Sequence, residues 1–107
     1  MPAGERKEKV EELIKRLAAE YLQHESNREA LISVTHVDVS PDFKNAIVYI
    51  SVMPESQEES VLNFAKRQRA GMRIFIKERI KTRILPFIDI AIDLGEKHRQ
   101  KIDNILR

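Results

Sequence analysis

In residues 65–83, Lys66, Arg67, Arg69, Arg73, Lys77, Arg79, Lys81 and Arg83 stand against Glu78 alone, a local charge of +7. Lys and Arg side chains supply positive charge and hydrogen-bond donors but no acceptors. The chemistry such a block supports is therefore anion binding, above all of the phosphates of a nucleic-acid backbone. The segment before it, residues 31–64, is the reverse: Asp38, Asp42, Glu55, Glu58 and Glu59 stand against Lys44. Over all 107 residues these blocks average to 19 Lys+Arg against 17 Asp+Glu, a net charge of only +2. So uneven a distribution suggests one electrostatic face oriented toward nucleic acid or another anionic surface. A solvated helix with exposed Lys and Arg gives the same composition, although one acidic residue cannot pair eight bases.

Catalytic chemistry is hard to assemble from what remains. His24, His36 and His98 share no motif, and the sequence contains no HExxH, GxSxG, Walker loop or GxGxxG. His36 and Asp38 fall two apart on one strand, so they face the same way, as do Asp89 and Asp93 on another. A metal or acid–base role for either pair has no supporting constellation, and both pairs read as solvated strand positions. The absence of cysteine excludes disulfides, thiolate zinc sites, iron–sulfur clusters and a Cys nucleophile. Gly4, Gly71 and Gly95 are the only glycines, so the GXXG loop with which a standard KH domain clamps a nucleotide backbone is missing. Aromatics on neighbouring strands of the RRM kind are missing too. Tyr21, Tyr49, Phe43, Phe64, Phe75 and Phe87 read as core. Recognition by shape and phosphate is what the residues support.

The elements that must position these residues follow from periodicity. Val10, Leu13, Ile14, Leu17, Tyr21 and Leu22 form one stripe of an amphipathic helix over residues 6–22, followed by a polar loop over 24–29. Residues 32–39 and 46–52 are rich in β-branched side chains and flank Ser40-Pro41-Asp42-Phe43-Lys44-Asn45, which supplies the turn of a hairpin. The first strand switches faces between Val34 and Val37, which predicts a bulge near Thr35 and His36. After Pro54, Ser56-Gln57-Glu58-Glu59 fits a capping box. Helical spacing then runs from 57 to 83, interrupted only by Gly71. A straight rod of that length, about 40 Å at 1.5 Å per residue, would overshoot a small sheet, so Gly71 predicts a kink. Phe87-Ile88-Asp89-Ile90-Ala91-Ile92-Asp93 alternates as a third strand, with Ile88, Ile90 and Ile92 inward. Gly95 permits a turn, and Ile102, Ile105 and Leu106 mark a short terminal helix. The order α-β-β-α-kink-α-β describes one α+β domain over residues 1–107, with a three-stranded sheet and helices on one face.

Several of these segments are also familiar in detail. Val34-Thr35-His36-Val37-Asp38-Val39-Ser40-Pro41-Asp42-Phe43 and Ala46-Ile47-Val48-Tyr49-Ile50-Ser51 closely resemble the bacterial ribosome-binding factor A signature, roughly VTxVxxSxDLxxAxVYxS. The segment from Arg83 through Pro86 to Asp93 resembles that family's RxxPxLxFxxD, and Ile102 to Leu106 fits its closing IxxLL-like helix. Lys9-Val10 fits its first helix, so the resemblance spans nearly the whole chain. It implies a type II KH-like fold in which a helix–kink–helix, often marked Ala-x-Gly, replaces the GXXG loop. It also implies a non-catalytic assembly factor, active late in small-subunit maturation, in 5′-end processing of 16S rRNA and in cold adaptation. This sequence departs from the motif in reading Ala70-Gly71 without the intervening residue. Counted back from Pro86, Ala70 stands where the family's Gly would sit.

Residues and resemblance together set the expectations. Lys66, Arg67, Arg69, Arg73, Lys77, Arg79, Lys81 and Arg83, with Lys44 in the hairpin loop, are the candidate rRNA contacts. One of Arg79 and Arg83 is expected to lean on the core through its aliphatic stem. Ala70 and Gly71 are the expected kink. The expected partners are 16S rRNA and the free small ribosomal subunit, with no metal, cofactor or small-molecule substrate. No apolar run approaches the roughly 20 residues of a membrane span, and MPAGERKEKVEEL lacks a signal-peptide core. A cytoplasmic monomer is expected. A protein–protein or dimerisation module that meets an acidic partner with its basic face is the alternative, and a small enzyme the remote third.

Overall fold

The computed structural model describes residues 3–25, 30–81 and 85–95. Helix α1 spans Ala3–Glu25, strand β1 Leu31–Val39 and strand β2 Asn45–Met53. A 3-10 turn, Glu55–Gln57, leads into α2, Glu58–Arg67, then α3, Arg69–Arg79, and strand β3, Phe87–Ile92. The polar loop expected from residue 24 is helical through Glu25. Arg83 and the terminal helix expected over 96–107 lie outside the described residues.

The sheet order is β1-β2-β3, with β1 antiparallel to β2 and β2 parallel to β3. Period-two alternation turns Ala46, Val48, Ile50 and Val52 of β2 and Ile88 and Ile90 of β3 to one face, where all are buried. Ile14, Leu17, Ala18 and Leu22 of α1 and Met72 and Ile76 of α3 close over them. The helices thus lie on one face, as expected. The predicted bulge is present: pairing shifts between Val34↔Ile50 and His36↔Tyr49, leaving Thr35 extra. In the hairpin loop Phe43 takes a left-handed φ of 60°, an uncommon conformation for a bulky side chain. Asp42 supports it by accepting from the Ser40 hydroxyl at 2.6 Å and the Lys44 N–H at 3.0 Å. Those bonds hold its carboxyl below the usual aspartate range.

Two local expectations are corrected. The capping box is not made: the 3-10 turn absorbs Ser56, α2 is capped at Gln57, and no side chain bonds to the cap. A capping serine needs extended backbone at the N-cap, and here Pro54 holds that conformation, two residues early. Glu58 and Glu59 still complement the helix dipole from the first turn.

The kink does not fall at Ala70-Gly71. The helix breaks at Gln68 (φ −89°, ψ 1°), whose N–H is shared between the carbonyls of Phe64 at 3.2 Å and Ala65 at 3.0 Å. Helix α3 restarts at once, with the Met72 N–H bonded to the Gln68 carbonyl at 2.8 Å. Gln68 lies two residues before Ala70, where the Ala of an Ala-x-Gly would stand if Ala70 replaces its Gly. Gly71 is ordinary helix and has another task, because a Cβ there would run into the Tyr21 hydroxyl of α1. That hydroxyl donates to Gln68 Oε1 at 3.1 Å, and the Tyr21 ring lies 5.4 Å from that of Phe75. The missing side chain admits the tyrosine that braces the break.

Gly71→Ala should therefore forgo the roughly 1 kcal/mol that Ala ordinarily brings to a helix interior. It displaces Tyr21 from Gln68, a bond worth about 1 kcal/mol. In a Tyr21→Phe background the same substitution should be stabilising. Urea unfolding of the four-protein cycle measures this coupling. Strict additivity would show that Gly71 serves no close approach.

Candidate nucleic-acid interface

The basic block occupies the end of α2, the break, all of α3 and the residues after it. From Arg69 the spacing of four places Arg73 and Lys77 along one side of α3. The structure divides these cations into two groups by what they touch. Arg69 straddles the break, its Nε donating to the Lys66 carbonyl at 2.9 Å and its Nη1 to Asp89 Oδ1 at 3.0 Å. Arg73 is half-buried and ties α3 to the entry of β3. Its Nη2 donates to the Leu85 carbonyl at 2.9 Å, its Nε to that of Pro86 at 3.3 Å, and its guanidinium lies 5.4 Å from the centre of the Phe87 ring. Arg79 stacks over Phe75 at 3.6 Å, donates to the Phe75 carbonyl at 3.1 Å and pairs with Glu78 at 3.5 Å. Arg79 thus leans on the protein, through its guanidinium and not through a buried stem.

Lys66, Arg67, Lys77 and Lys81 form the second group. All four are exposed, and among the described residues their side chains make no hydrogen bond or ion pair. Lys44 is exposed as well, just before β2 begins, where its backbone carbonyl accepts from the Phe87 N–H at 2.9 Å. Its neighbour Asn45 and its partner Phe87 line one groove with Arg69 and Arg73.

Between the first turn of α3 and β3 runs an open groove of about 630 Å³, lined among others by Arg69, Ala70, Arg73, Phe87 and Asp89. The break matters here, because it starts a second helix and so brings a partial positive charge to this rim. Ala70, small and exposed, leaves the groove open. Asp89 is its counter-charge. The Ile90 N–H, bonded to Asp89 Oδ1 at 2.8 Å, is the main cause that holds this carboxyl below its ordinary value, with Arg69 and then Lys66 adding to it against a desolvation that raises it.

Asp93, expected to be solvated beside Asp89, is instead half-buried. Its Oδ2 accepts from the Thr35 hydroxyl at 2.5 Å and faces His36 Nδ1 at 3.2 Å, across β2. His36 therefore meets Asp93, not Asp38, and stacks on Tyr49 with ring centres 4.3 Å apart. Nothing local signals this cluster, since the bulge at Thr35 is what turns the threonine toward a residue 58 positions away. Among the described residues no group of three His, Cys, Asp or Glu side chains could hold a metal ion.

Helices on one face of a β1-β2-β3 sheet, with a parallel β2–β3 pair joined through a broken helix, define a KH-like domain that has no GXXG loop. Its crossover carries cations where such a domain carries its nucleotide clamp. The profile of the ribosome-binding factor A family matches residues 6–106, and the chain belongs to that family. The ribosome-binding factor A of Desulfitobacterium hafniense is 31% identical, over 98% of this chain and 86% of its own. That of Natranaerobius thermophilus is 28% identical, over 98% and 82%. The crystal structure of the Thermus thermophilus factor superposes with a TM-score of 0.72 at 29% identity, over 80% of this chain and 94% of that one. A homology model of the same factor, as fitted into a cryo-EM map of a 30S–RbfA complex, superposes with a TM-score of 0.69 at 26% identity, over 78% and 90%.

An NMR titration of the Asp89 carboxyl should show a midpoint below 3.8, its ordinary value. Since the folded-state value is depressed, the bond's contribution to stability is complete above the unfolded value and is lost as pH falls through the folded one. Arg69→Ala should raise the midpoint only part of the way, because the Ile90 N–H remains. Full return to 3.8 in that variant would assign the effect to Arg69 instead.

Proposed function

We propose that this chain is a ribosome assembly factor that binds the small ribosomal subunit through Lys66, Arg67, Lys77 and Lys81, and assists late maturation and 5′-end processing of 16S rRNA. The observation that carries the reading is that these four cations, on a broken helical crossover, are exposed and uncommitted, in a chain of the ribosome-binding factor A family. The 30S complex of the Thermus thermophilus relative supports the choice of partner. Arg69, at the groove, joins the contact if a phosphate replaces Asp89; Arg73 and Arg79 mainly hold the surface in shape. Lys44 is a further candidate at the start of β2. The function requires no bond chemistry, cofactor or metal. A factor that binds one rRNA conformation more tightly than another shifts the population toward it by that difference in affinity. One molecule presents the whole surface, so a cytoplasmic monomer suffices.

Salt dependence tests this reading. Each phosphate contact contributes about 0.7–0.9 to the slope of log K against log salt. Replacing Lys66, Arg67, Lys77 and Lys81 by Glu should flatten the slope of binding to purified small subunits by about three and weaken binding at least tenfold. Unchanged association would sink the proposed surface. Arg73→Ala should behave differently. Losing two bonds from a charged donor to backbone carbonyls should lower stability by about 2 kcal/mol and leave the salt slope of the folded protein nearly intact. Urea unfolding beside the binding isotherms separates the two effects. In extract, the protein should sediment with free small subunits and not with whole ribosomes.

A further inference from the structure

The helices leave the other face of the sheet bare. Its outward positions are Leu31, Ser33, His36 and Asp38 on β1, then Asn45, Ile47, Tyr49, Ser51 and Met53 on β2, and Phe87, Asp89 and Ala91 on β3, with Asp93 just beyond. Three large apolar side chains stand open at its ends: Leu31 is 66% exposed, Met53 55% and Phe87 71%. Leu31 and Met53 pair at one end, and Phe87 stands at the other, two residues from Asp89. No Lys or Arg occupies any strand position on this face, while Asp38 and Asp89, in one row on either side of Ile47, have side chains 62% and 58% exposed. Each is reached by one cation from a flank, Lys7 at 3.9 Å and Arg69 at 3.0 Å. Such exposed pairs are worth little and exchange readily.

We propose that this face is a second docking surface, for an extended protein segment that carries arginines interspersed with apolar residues. The two carboxylates are separated by two strand spacings, about 10 Å. Cations three residues apart share one side of an extended polyproline II segment, which turns once in three residues and spans about 9 Å in doing so. An apolar side chain beside the cation at Asp89 then reaches Phe87, two residues back along β3. Tyr49 adds an arginine-specific contact: His36 covers one side of its ring, and its partner on β3 is Ala91, small enough to leave room for a planar guanidinium above it. Nucleic acid is disfavoured, because its phosphates would meet aspartates. A second copy is disfavoured as well, since this face pressed on itself sets carboxylates against carboxylates with no strand cation to answer them. The surface is opposite in sign to the α2–α3 side and meets it at the Arg69–Asp89 pair, which either occupant would open. A protein built this way holds a nucleic acid on one side and a basic protein segment on the other.

The probe is the peptide Ac-Arg-Leu-Ser-Arg-Leu-Ser-Arg-NH2, titrated into the isotopically labelled full chain. Amide shifts should concentrate at His36, Asp38, Tyr49, Asp89 and Ala91 and saturate below millimolar peptide. The same peptide with Gln for Arg should bind at least tenfold more weakly. Ser33→Lys with Asp38→Lys should weaken the Arg peptide at least fivefold, with unchanged circular dichroism and thermal midpoint. If that double variant loses its fold, Asp38→Asn alone should still weaken binding measurably. Equal binding of the Gln peptide overturns the proposal, as does the absence of shifts on this face. Shifts there caused by an oligo-U RNA, or by protein concentration alone, would assign the face to nucleic acid or to self-association. Failure here leaves the salt slope with small subunits untouched, so the two readings fall separately.

Discussion

Parallel pairing of β2 with β3 is the constraint from which the rest of this structure follows. A parallel neighbour cannot be reached by a tight turn; the chain must return along the whole sheet before it pairs again. Here it returns as helix, and a straight helix of that length would leave the sheet behind. The break at Gln68 folds it into two short segments that both keep apolar residues over the strands, Val61 and Ala65 from α2 and Met72 and Ile76 from α3. Tyr21 reaches the break from α1 through the space Gly71 leaves open. Arg73 secures the far end by holding the Leu85 and Pro86 carbonyls just before β3 begins.

The charges divide along chemical lines. A guanidinium presents several donors in a fixed plane and stacks on rings, so the protein uses Arg69, Arg73 and Arg79 to bind carbonyls, a carboxylate and aromatic rings of its own. Three of the four exposed, uncommitted cations are lysines, whose compact, strongly hydrated charge costs least when left in water. Carboxylates have a parallel use at the sheet's borders. Glu11 accepts from the Val39 N–H at 2.8 Å on β1, and Asp89 from the Ile90 N–H on β3. Each occupies a backbone donor on an edge strand, where a foreign strand could otherwise attach. One side of the molecule is left cationic and the bare sheet face acidic, a polarity invisible in a net charge of +2.

Much of this was legible beforehand because it is local. Alternation in Ala46–Val52 and in Phe87–Asp93 reports which side chains are buried, and the change of phase around Thr35 reports the bulge. The basic block is readable by counting. The ribosome-binding factor A motifs added the topology and the broken crossover. The position of the break was not legible, because glycine is only one way to interrupt a helix. Gln68 interrupts this one through its backbone, held by a tyrosine 47 residues away. Nor was the capping box secure, since Ser56 and Glu59 have the right spacing but a 3-10 turn uses the serine first.

The order of elements, the inward residues of each strand, the cationic crossover and the family are all written in neighbours along the chain. Which of those cations are available is settled by the folded arrangement. Arg69 and Arg73 look like Lys66 and Lys77 in the sequence, and differ because Asp89, Leu85 and Pro86 come within hydrogen-bond distance once β3 is in place. Likewise Asp93 resembles Asp89 until Thr35 and His36 reach it across the sheet. A charged group's partner is set by distance in space, and that distance exists only after the chain has folded.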